Sequence, residues 1–171
     1  MSISMSSTAL PVCITMLGNL RHFLDKAQVF VDAKKCEPSA LTQFRLAPDM
    51  LPFVRQVQIA CDVAKSGVAR LSGVDAPTLE DVEVGLDDLK GRIDKTLAYL
   101  KSVPADRLDG TEDKDITFPV GKEATRTMKG EAYLLHWMLP NVFFHVTTAY
   151  AILRHNGVEL GKRDYLLGAA A

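Results

Sequence analysis

The segment from Ala132 to Leu153 near the carboxyl end contains no Asp, Glu, Lys or Arg. Its length alone makes it a membrane-span candidate. It also holds polar side chains and a proline, namely His136, Pro140, Asn141, His145, Thr147 and Thr148. Such residues fit lipid poorly, and the charged helices elsewhere in the chain could bury the segment in protein instead. We therefore predict the central helix of a soluble bundle and no membrane partner.

Three of these polar residues form one stripe on the predicted helix. Asn141, His145 and Thr148 follow i, i+4, i+7 spacing, and Trp137 lies one turn before them. Gln56, which lies within an apolar helical run, is the candidate from a second helix. The alternatives are that Gln56 is an ordinary surface glutamine and that His145 bonds a backbone carbonyl or Thr148 and only packs. The candidate pocket is Gln56, Trp137, Asn141, His145 and Thr148.

Composition limits the classes of function. The 171 residues, 47% of them hydrophobic, predict one domain over residues 1–171. A net charge of -1 argues against nucleic acid as a partner. The amino terminus has no basic residue before its apolar part, so we expect no signal peptide and a cytoplasmic location. Cys13 and Cys61 lie in apolar helical runs and are expected to be core thiols, with no disulfide or zinc knuckle.

Apolar periodicity predicts three helices before the last one. Their predicted features are a first helix capped by Ser7 or Thr8 with an apolar seam from Leu10 to Val31, a second from Pro52 to Leu71, and a third from Thr78 to Leu100. In the third, Glu80, Asp81 and Glu83 are interpreted as a solvated face beside the helix amino terminus. Small residues of the second helix, such as Gly67, would let a neighbouring helix approach closely.

A short hairpin is predicted between the third and fourth helices. Residues 116–120 and 124–128 alternate as strands around a turn at Gly121-Lys122, and the last helix follows from Glu131 to Asn156, kinked or restarted at Pro140. The predicted fold class is all-α: an antiparallel four-helix bundle with a long crossover that contains a short β-hairpin before the last helix.

No strong catalytic signature occurs in the sequence. It lacks H-E-x-x-H, G-x-S-x-G, a Walker loop and a Rossmann glycine fingerprint. His145 could be a metal ligand or a general base, because imidazole titrates near neutral pH. Among the other histidines, we expect His136 to be a satisfied core residue, His22 to be exposed and His155 to favour its helix end.

Three runs carry a resemblance to a known family. LPVCITMLGNL at residues 10–20, LAPDMLPFVRQVQIACDVAK at 46–65 and YLLHWMLPNVFFHVTTAYAILRHNGVELGKRDYL at 133–166 resemble the uncharacterised family called domain of unknown function nineteen ninety-three. That family is similar to the DinB/YfiT-like superfamily of metalloenzymes, which implies a four-helix bundle with a long crossover. In that superfamily one histidine from helix two and H-x-x-x-H from helix four hold a divalent metal.

The resemblance implies that two of the three metal ligands are replaced. The helix-four pattern falls on Asn141 and His145, and the helix-two position falls on or near Gln56. Two carboxamides and one imidazole are a weak set for zinc or nickel, so we predict no tightly bound metal and no cofactor. The leading hypothesis is a small-ligand-binding or interaction module, assembled as a homodimer. The alternatives are a metal-dependent or His145-dependent enzyme acting on a thiol or small organic substrate, and a self-associating structural protein.

Overall fold

The chain is mostly helical, with one small antiparallel sheet. The computed structural model describes residues 3–121 and 123–168. Its α-helices are α1 (Met5–Lys34), α2 (Pro38–Gln43), α3 (Phe53–Ser72), α4 (Leu86–Ser102), α5 (Gly130–Tyr133), α6 (Leu139–His155) and α7 (Lys162–Leu167). The strands are β1 (Asp115–Val120) and β2 (Ala124–Lys129). Within this described part of the chain, no helix is long and apolar enough to cross a bilayer.

The four regions predicted to be long helices pack against one another. Helix α3 contacts α4 and α6, and α1 contacts the same two helices. The predicted apolar seams lie inside: Leu17, Leu20, Leu24 and Ala27 of α1 are fully buried, as are Val57, Ala60, Ala64 and Val68 of α3. Gly67 of α3 lies against Met138, because a methyl group added at Gly67 would sit 2.5 Å from the Met138 sulfur. A small residue at Gly67 therefore permits the close approach that the sequence predicted.

Helix α1 begins earlier than the sequence predicted. Its amino-terminal cap is Ser4, whose side chain accepts a hydrogen bond from the backbone N–H of Ser7. The side chain of Ser7 in turn accepts one from the N–H of Ser4, which completes a capping box. Ser7 is therefore the third residue of the helix, which completes the capping box, and not the cap itself.

The third predicted helix was wrong over its first eight residues. Helix α4 begins at Leu86, where Asp88 accepts hydrogen bonds from the N–H groups of Val84 and Gly85. Residues 78–85 are not helical. The cap of α4 is Gly85 and not Thr78, and Asp88 is the third residue of the helix.

The solvated-face interpretation was wrong for Asp81 and Glu83, which pair with a buried cation, whereas Glu80 is exposed. The guanidinium of Arg92, whose side chain is 1% exposed, forms ion pairs with Asp62, Asp81 and Glu83 at 2.9 to 3.0 Å. Burial alone would raise the pKa of Glu83, but its bonds from Arg92 and Gln58 hold that pKa below its usual value. Asp81 and Glu83 thus bind the buried Arg92 of α4, and Glu83 also accepts from Gln58 of α3, so the segment is held to both helices.

The predicted hairpin is confirmed. Strands β1 and β2 pair in antiparallel register, with Ile116 opposite Met128 and Phe118 opposite Arg126. Ile116 and Phe118 are buried, and the Phe118 ring lies 4.9 Å from the ring of Tyr133. One face of the hairpin therefore packs on the start of the last helical segment. The predicted turn residue Lys122 lies outside the described residues.

The charge-free segment forms one helical run with a wide turn in it. A π-helical turn, Leu134–Met138, joins α5 to α6, and Pro140 occupies the first turn of α6. The predicted irregularity at Pro140 is thus present, but its form is an inserted π turn directly before the proline.

Helix α7 was not predicted. Its Asp164 accepts a hydrogen bond from the ring Nε2 of His22 at 2.9 Å and one from Lys26 at 3.0 Å, which ties α7 to α1. His22 is therefore half-buried and paired rather than exposed. Burial would raise the pKa of Asp164, but the Gly161 N–H, His22 and Lys26 together lower it to about 2.

Candidate functional site

The site centres on a hydrogen bond between two buried side chains from different helices. Gln56 lies in the first turn of α3 and His145 in the middle of α6. His145 Nδ1 and Gln56 Oε1 are 2.8 Å apart, and the two residues are 9% and 1% exposed. Gln56 is not a surface glutamine, and His145 pairs with this amide rather than with Thr148. The strong packing of α3 on α6 brings them together.

A backbone carbonyl fixes the orientation of the Gln56 amide. Gln56 Nε2 donates to the carbonyl oxygen of Leu51 at 3.0 Å, so Oε1 faces the imidazole. Because Oε1 can only accept, Nδ1 of His145 carries the proton and donates. In the neutral ring, Nε2 of His145 then holds an unshared electron pair.

Burial keeps the His145 ring neutral. It lowers the pKa of His145 from 6.5 to about 4, and no charged side chain contributes to that shift. At neutral pH, His145 is therefore an uncharged hydrogen-bond acceptor at Nε2. A base this weak is poorly matched to proton abstraction at neutral pH.

The free nitrogen of His145 is within reach of solvent. Nε2 makes no hydrogen bond to any residue in the described part of the chain. Among those same residues, the only fully buried side-chain polar atom without a partner is Arg92 Nε, so His145 Nε2 keeps some exposed surface. The ring of Phe144, a residue 55% exposed, meets the His145 ring edge-on at 5.2 Å. An apolar surface therefore borders the His145 imidazole.

The other predicted pocket residues are bonded locally. Asn141 Nδ2 donates to the carbonyl oxygen of Trp137 at 2.7 Å, and the Thr148 hydroxyl donates to that of Phe144 at 2.8 Å. The Trp137 ring packs 4.8 Å from the ring of Phe118 on β1. The structure thus joins Gln56 to His145, whereas Trp137, Asn141 and Thr148 bond or pack elsewhere. Their membership of a ligand pocket stays a prediction.

The remaining histidines and cysteines lie outside this site. His136 is exposed, so its interpretation as a core histidine was wrong; it lies in the π turn, whose extra residue rotates the helix faces. His155 is exposed in the last turn of α6. Burial raises the pKa of the Cys13 and Cys61 thiols to about 12, which makes both inert core residues as predicted.

Sequence reasoning missed two contributors to the site, Phe144 and Leu51. Phe144 was hidden in an apolar run, where nothing distinguishes a bordering ring from a core ring. Leu51 acts through its backbone carbonyl, which no side-chain pattern reports. The position of Leu51 just before Pro52 at the start of α3 is the available signal, because helix amino termini need partners for polar groups.

The donor set does not fit the metal that the superfamily resemblance implies. Gln56 Oε1 already accepts from His145, and the amide nitrogens of Gln56 and Asn141 donate to carbonyl groups. One imidazole lone pair, on His145 Nε2, and neutral amide oxygens are left for a cation. Within residues 3–121 and 123–168, no group of three His, Cys, Asp or Glu side chains could hold a metal ion. A transition metal would meet one good nitrogen ligand and weak neutral oxygens.

Comparison with known proteins gives the family and a similar solved structure. The family described as Domain of unknown function (DUF1993) matches residues 5–166. The chain belongs to this family. It is also similar to a solved structure, the crystal structure of a DinB family member protein from Shewanella denitrificans, with 40% sequence identity and a TM-score of 0.85. That alignment covers 94% of this chain and 90% of the other. No curated protein matches the sequence.

Proposed function

We propose that this DUF1993 protein is a DinB-like antiparallel four-helix bundle that binds a small organic ligand at His145 without a metal. The bundle helices are α1, α3, α4 and the run from α5 to α6. Pairwise packing of α1 and α3 with α4 and α6 supports this arrangement, as does the similarity to a DinB family member. The long crossover is the segment between α4 and α5, which contains the hairpin.

The observation that carries the proposed function is the exposed electron pair on His145 Nε2. A buried histidine whose role is only structural normally has its polar atoms satisfied. Here one nitrogen is paired with Gln56 at 2.8 Å and the other has no partner within the described residues. The exposed Phe144 ring beside it provides apolar contact area. An apolar surface with one directed polar group is a common composition of small-molecule sites.

A thermal-shift screen with matched histidine variants tests this proposal. The wild-type chain and two variants, His145→Gln and His136→Gln, are melted against a library of small organic metabolites. Ligands should raise the melting temperature of the wild type and of His136→Gln, which changes an exposed histidine nearby, but not of His145→Gln. Stabilising compounds that act equally on all three proteins would contradict a site at His145.

An enzyme that uses His145 as a base is the second candidate. The free Nε2 favours it, since a general base needs an open electron pair within reach of its substrate. The pKa of about 4 opposes it, because proton transfer at neutral pH gains little from so weak a base. Turnover of any library hit by the wild type, lost in His145→Gln, would establish the enzyme instead of the binding module. The absence of a nucleic-acid partner and the cytoplasmic location also remain proposals.

A further inference from the structure

We propose that the ligand at His145 is a neutral molecule in which an apolar or aromatic group carries one O–H or N–H donor, and that Gln56 selects it. This inference rests on the binding function proposed above and deepens it. Gln56 does not need to touch the ligand. It acts through His145 as a positioning residue, by deciding which ring nitrogen carries the proton.

The selection begins at Leu51 and is relayed to the far side of the imidazole. The Leu51 carbonyl accepts from Gln56 Nε2 at 3.0 Å, and Gln56 Oε1 accepts from His145 Nδ1 at 2.8 Å. Reversing the Gln56 amide would place its NH₂ group against the Nδ1–H of His145 and its carbonyl oxygen against the carbonyl oxygen of Leu51. Because Gln56 is 1% exposed and its bond to His145 is buried, such mismatches are costly. His145 Nε2 is thus held as an acceptor, and the complementary group on a ligand is a donor.

Within the described residues, no charged side chain hydrogen-bonds to His145 or Gln56. No charged side chain influences the His145 ring enough to shift its pKa, and burial alone holds the ring neutral. A carboxylate or phosphate would face a lone pair of electrons and would lose hydration without an ionic partner. A cationic ligand would also lose hydration without a carboxylate. Neutral donors such as alcohols, phenols and azoles meet neither penalty.

The apolar part of the ligand has a surface to contact beside the acceptor. Phe144 is 55% exposed and touches the His145 ring edge-on. Aromatic ligands gain both burial and edge-to-face contact at such a phenylalanine. The expected ligand class is therefore an aromatic or aliphatic group next to a single hydroxyl or N–H.

Three probes of similar size separate the features of this class. Phenol has the ring and the donor, anisole has the ring without a donor, and benzoate has the ring with a negative charge. The full chain carries ¹⁵N-labelled histidine, and the ring nitrogens are observed by NMR at neutral pH while each probe is added. Before any probe, Nδ1 should show the shift of a protonated nitrogen and Nε2 that of an unprotonated one.

Phenol should move the His145 Nε2 resonance and bind at least about tenfold more tightly than anisole or benzoate, since it alone makes the hydrogen bond. In Gln56→Leu, the two tautomers should mix and the preference for phenol should fall toward unity. His136→Gln, the control, should behave as the wild type.

Three results would overturn the inference while leaving the binding function to its own screen. The first is a His145 ring protonated at Nε2 in the wild type, which would make Nε2 a donor. The second is equal or tighter binding of anisole or benzoate at His145. The third is an Nε2 resonance that does not move at saturating phenol. The tautomer measurement needs no ligand, and the library screen needs no phenol, so the two proposals fail separately.

Discussion

At the scale of single residues, the chemistry of His145 is set by its neighbours more than by its type. A free imidazole titrates at 6.5, whereas burial lowers the pKa of His145 to about 4. Between about pH 6.5 and 4, the His145 ring is therefore protonated in the unfolded chain and neutral in the folded chain. The stability contributed by His145 is complete above about pH 6.5 and declines as the pH falls from there to about 4.

Urea unfolding measured at several pH values between these limits tests that linkage. The wild type and His136→Gln should lose stability steadily as the pH falls across the window, and His145→Gln should lose less. Asp164, with its pKa lowered to about 2, contributes stability that disappears only at lower pH. Identical slopes for wild type and His145→Gln between about pH 6.5 and 4 would show that the His145 pKa is not lowered.

How much of the site could be predicted from the sequence follows from how far each side chain reaches. Gln56 and His145 could be paired because helix register and the family resemblance both direct them to one place. Asn141 and Thr148 share a helix face with His145, but short polar side chains can bond the carbonyl four residues back. Face alone cannot distinguish that outcome from a pocket.

At the scale of elements, the junction before the last helix depends on a residue without a side chain. A methyl group at Gly130 would collide with the Thr111 carbonyl oxygen, and the next residue, Glu131, donates its N–H to the Glu112 carbonyl at 2.9 Å. Gly130→Ala should therefore lower the free energy of unfolding by about 2 to 4 kcal/mol. Urea titration measures the change.

Gly18 provides the matched control for that substitution. It lies inside α1, and a methyl group there would meet nothing within 4 Å. Gly18→Ala should stabilise the chain by about 0.5 to 1 kcal/mol through helix propensity. A Gly130→Ala variant as stable as Gly18→Ala would refute the close approach of Thr111.

The position of the non-helical segment before α4, residues 78–85, depends on Arg92. Replacing Arg92 with Met leaves Asp62, Asp81 and Glu83 without their shared cation. Glu83, whose side chain is 8% exposed, would then keep a buried charge without a cation, and leaving such a charge unpaired typically costs about 3 to 5 kcal/mol. Arg92→Met should therefore lower the free energy of unfolding markedly and speed hydrogen exchange between α3 and α4. Lys95→Met, an exposed change on the same helix, should be nearly neutral, and equal effects of the two would count against the cluster.

This segment also shows why the third helix was mispredicted. Thr78 and the acidic residues after it match a helix start in sequence, but Asp81 and Glu83 form tertiary ion pairs with Arg92 instead. The helix begins at Leu86 with Gly85 as its cap, and Asp88 accepts from the N–H groups of Val84 and Gly85. Likewise, the six residues of α7 are too few to show a clear period, and its anchor at Asp164 depends on contacts with α1 that the sequence does not reveal.

At the scale of the whole molecule, the mostly helical fold with one hairpin was predictable because periodicity reports burial over long segments. The homodimer remains a prediction. Phe143 is 39% exposed on α6, and exposed aromatic side chains are frequent at interfaces. Light scattering should give twice the chain mass of 18.8 kDa, falling toward that mass in Phe143→Ser. A wild-type mass of 18.8 kDa at working concentration would contradict the dimer.

The central claim, a ligand site at His145 without a metal, is tested most directly by metal analysis. Protein purified without an affinity tag or chelator is analysed for transition metals, and its melting temperature is recorded with added zinc, nickel or manganese. We expect less than about 0.1 equivalent of bound metal and little thermal shift, because one imidazole and neutral carboxamide oxygens bind such ions weakly. Two wild-type results would contradict the claim and favour a metalloenzyme: near one equivalent of bound metal, and a large rise in melting temperature on adding metal. Both should then be abolished by His145→Ala.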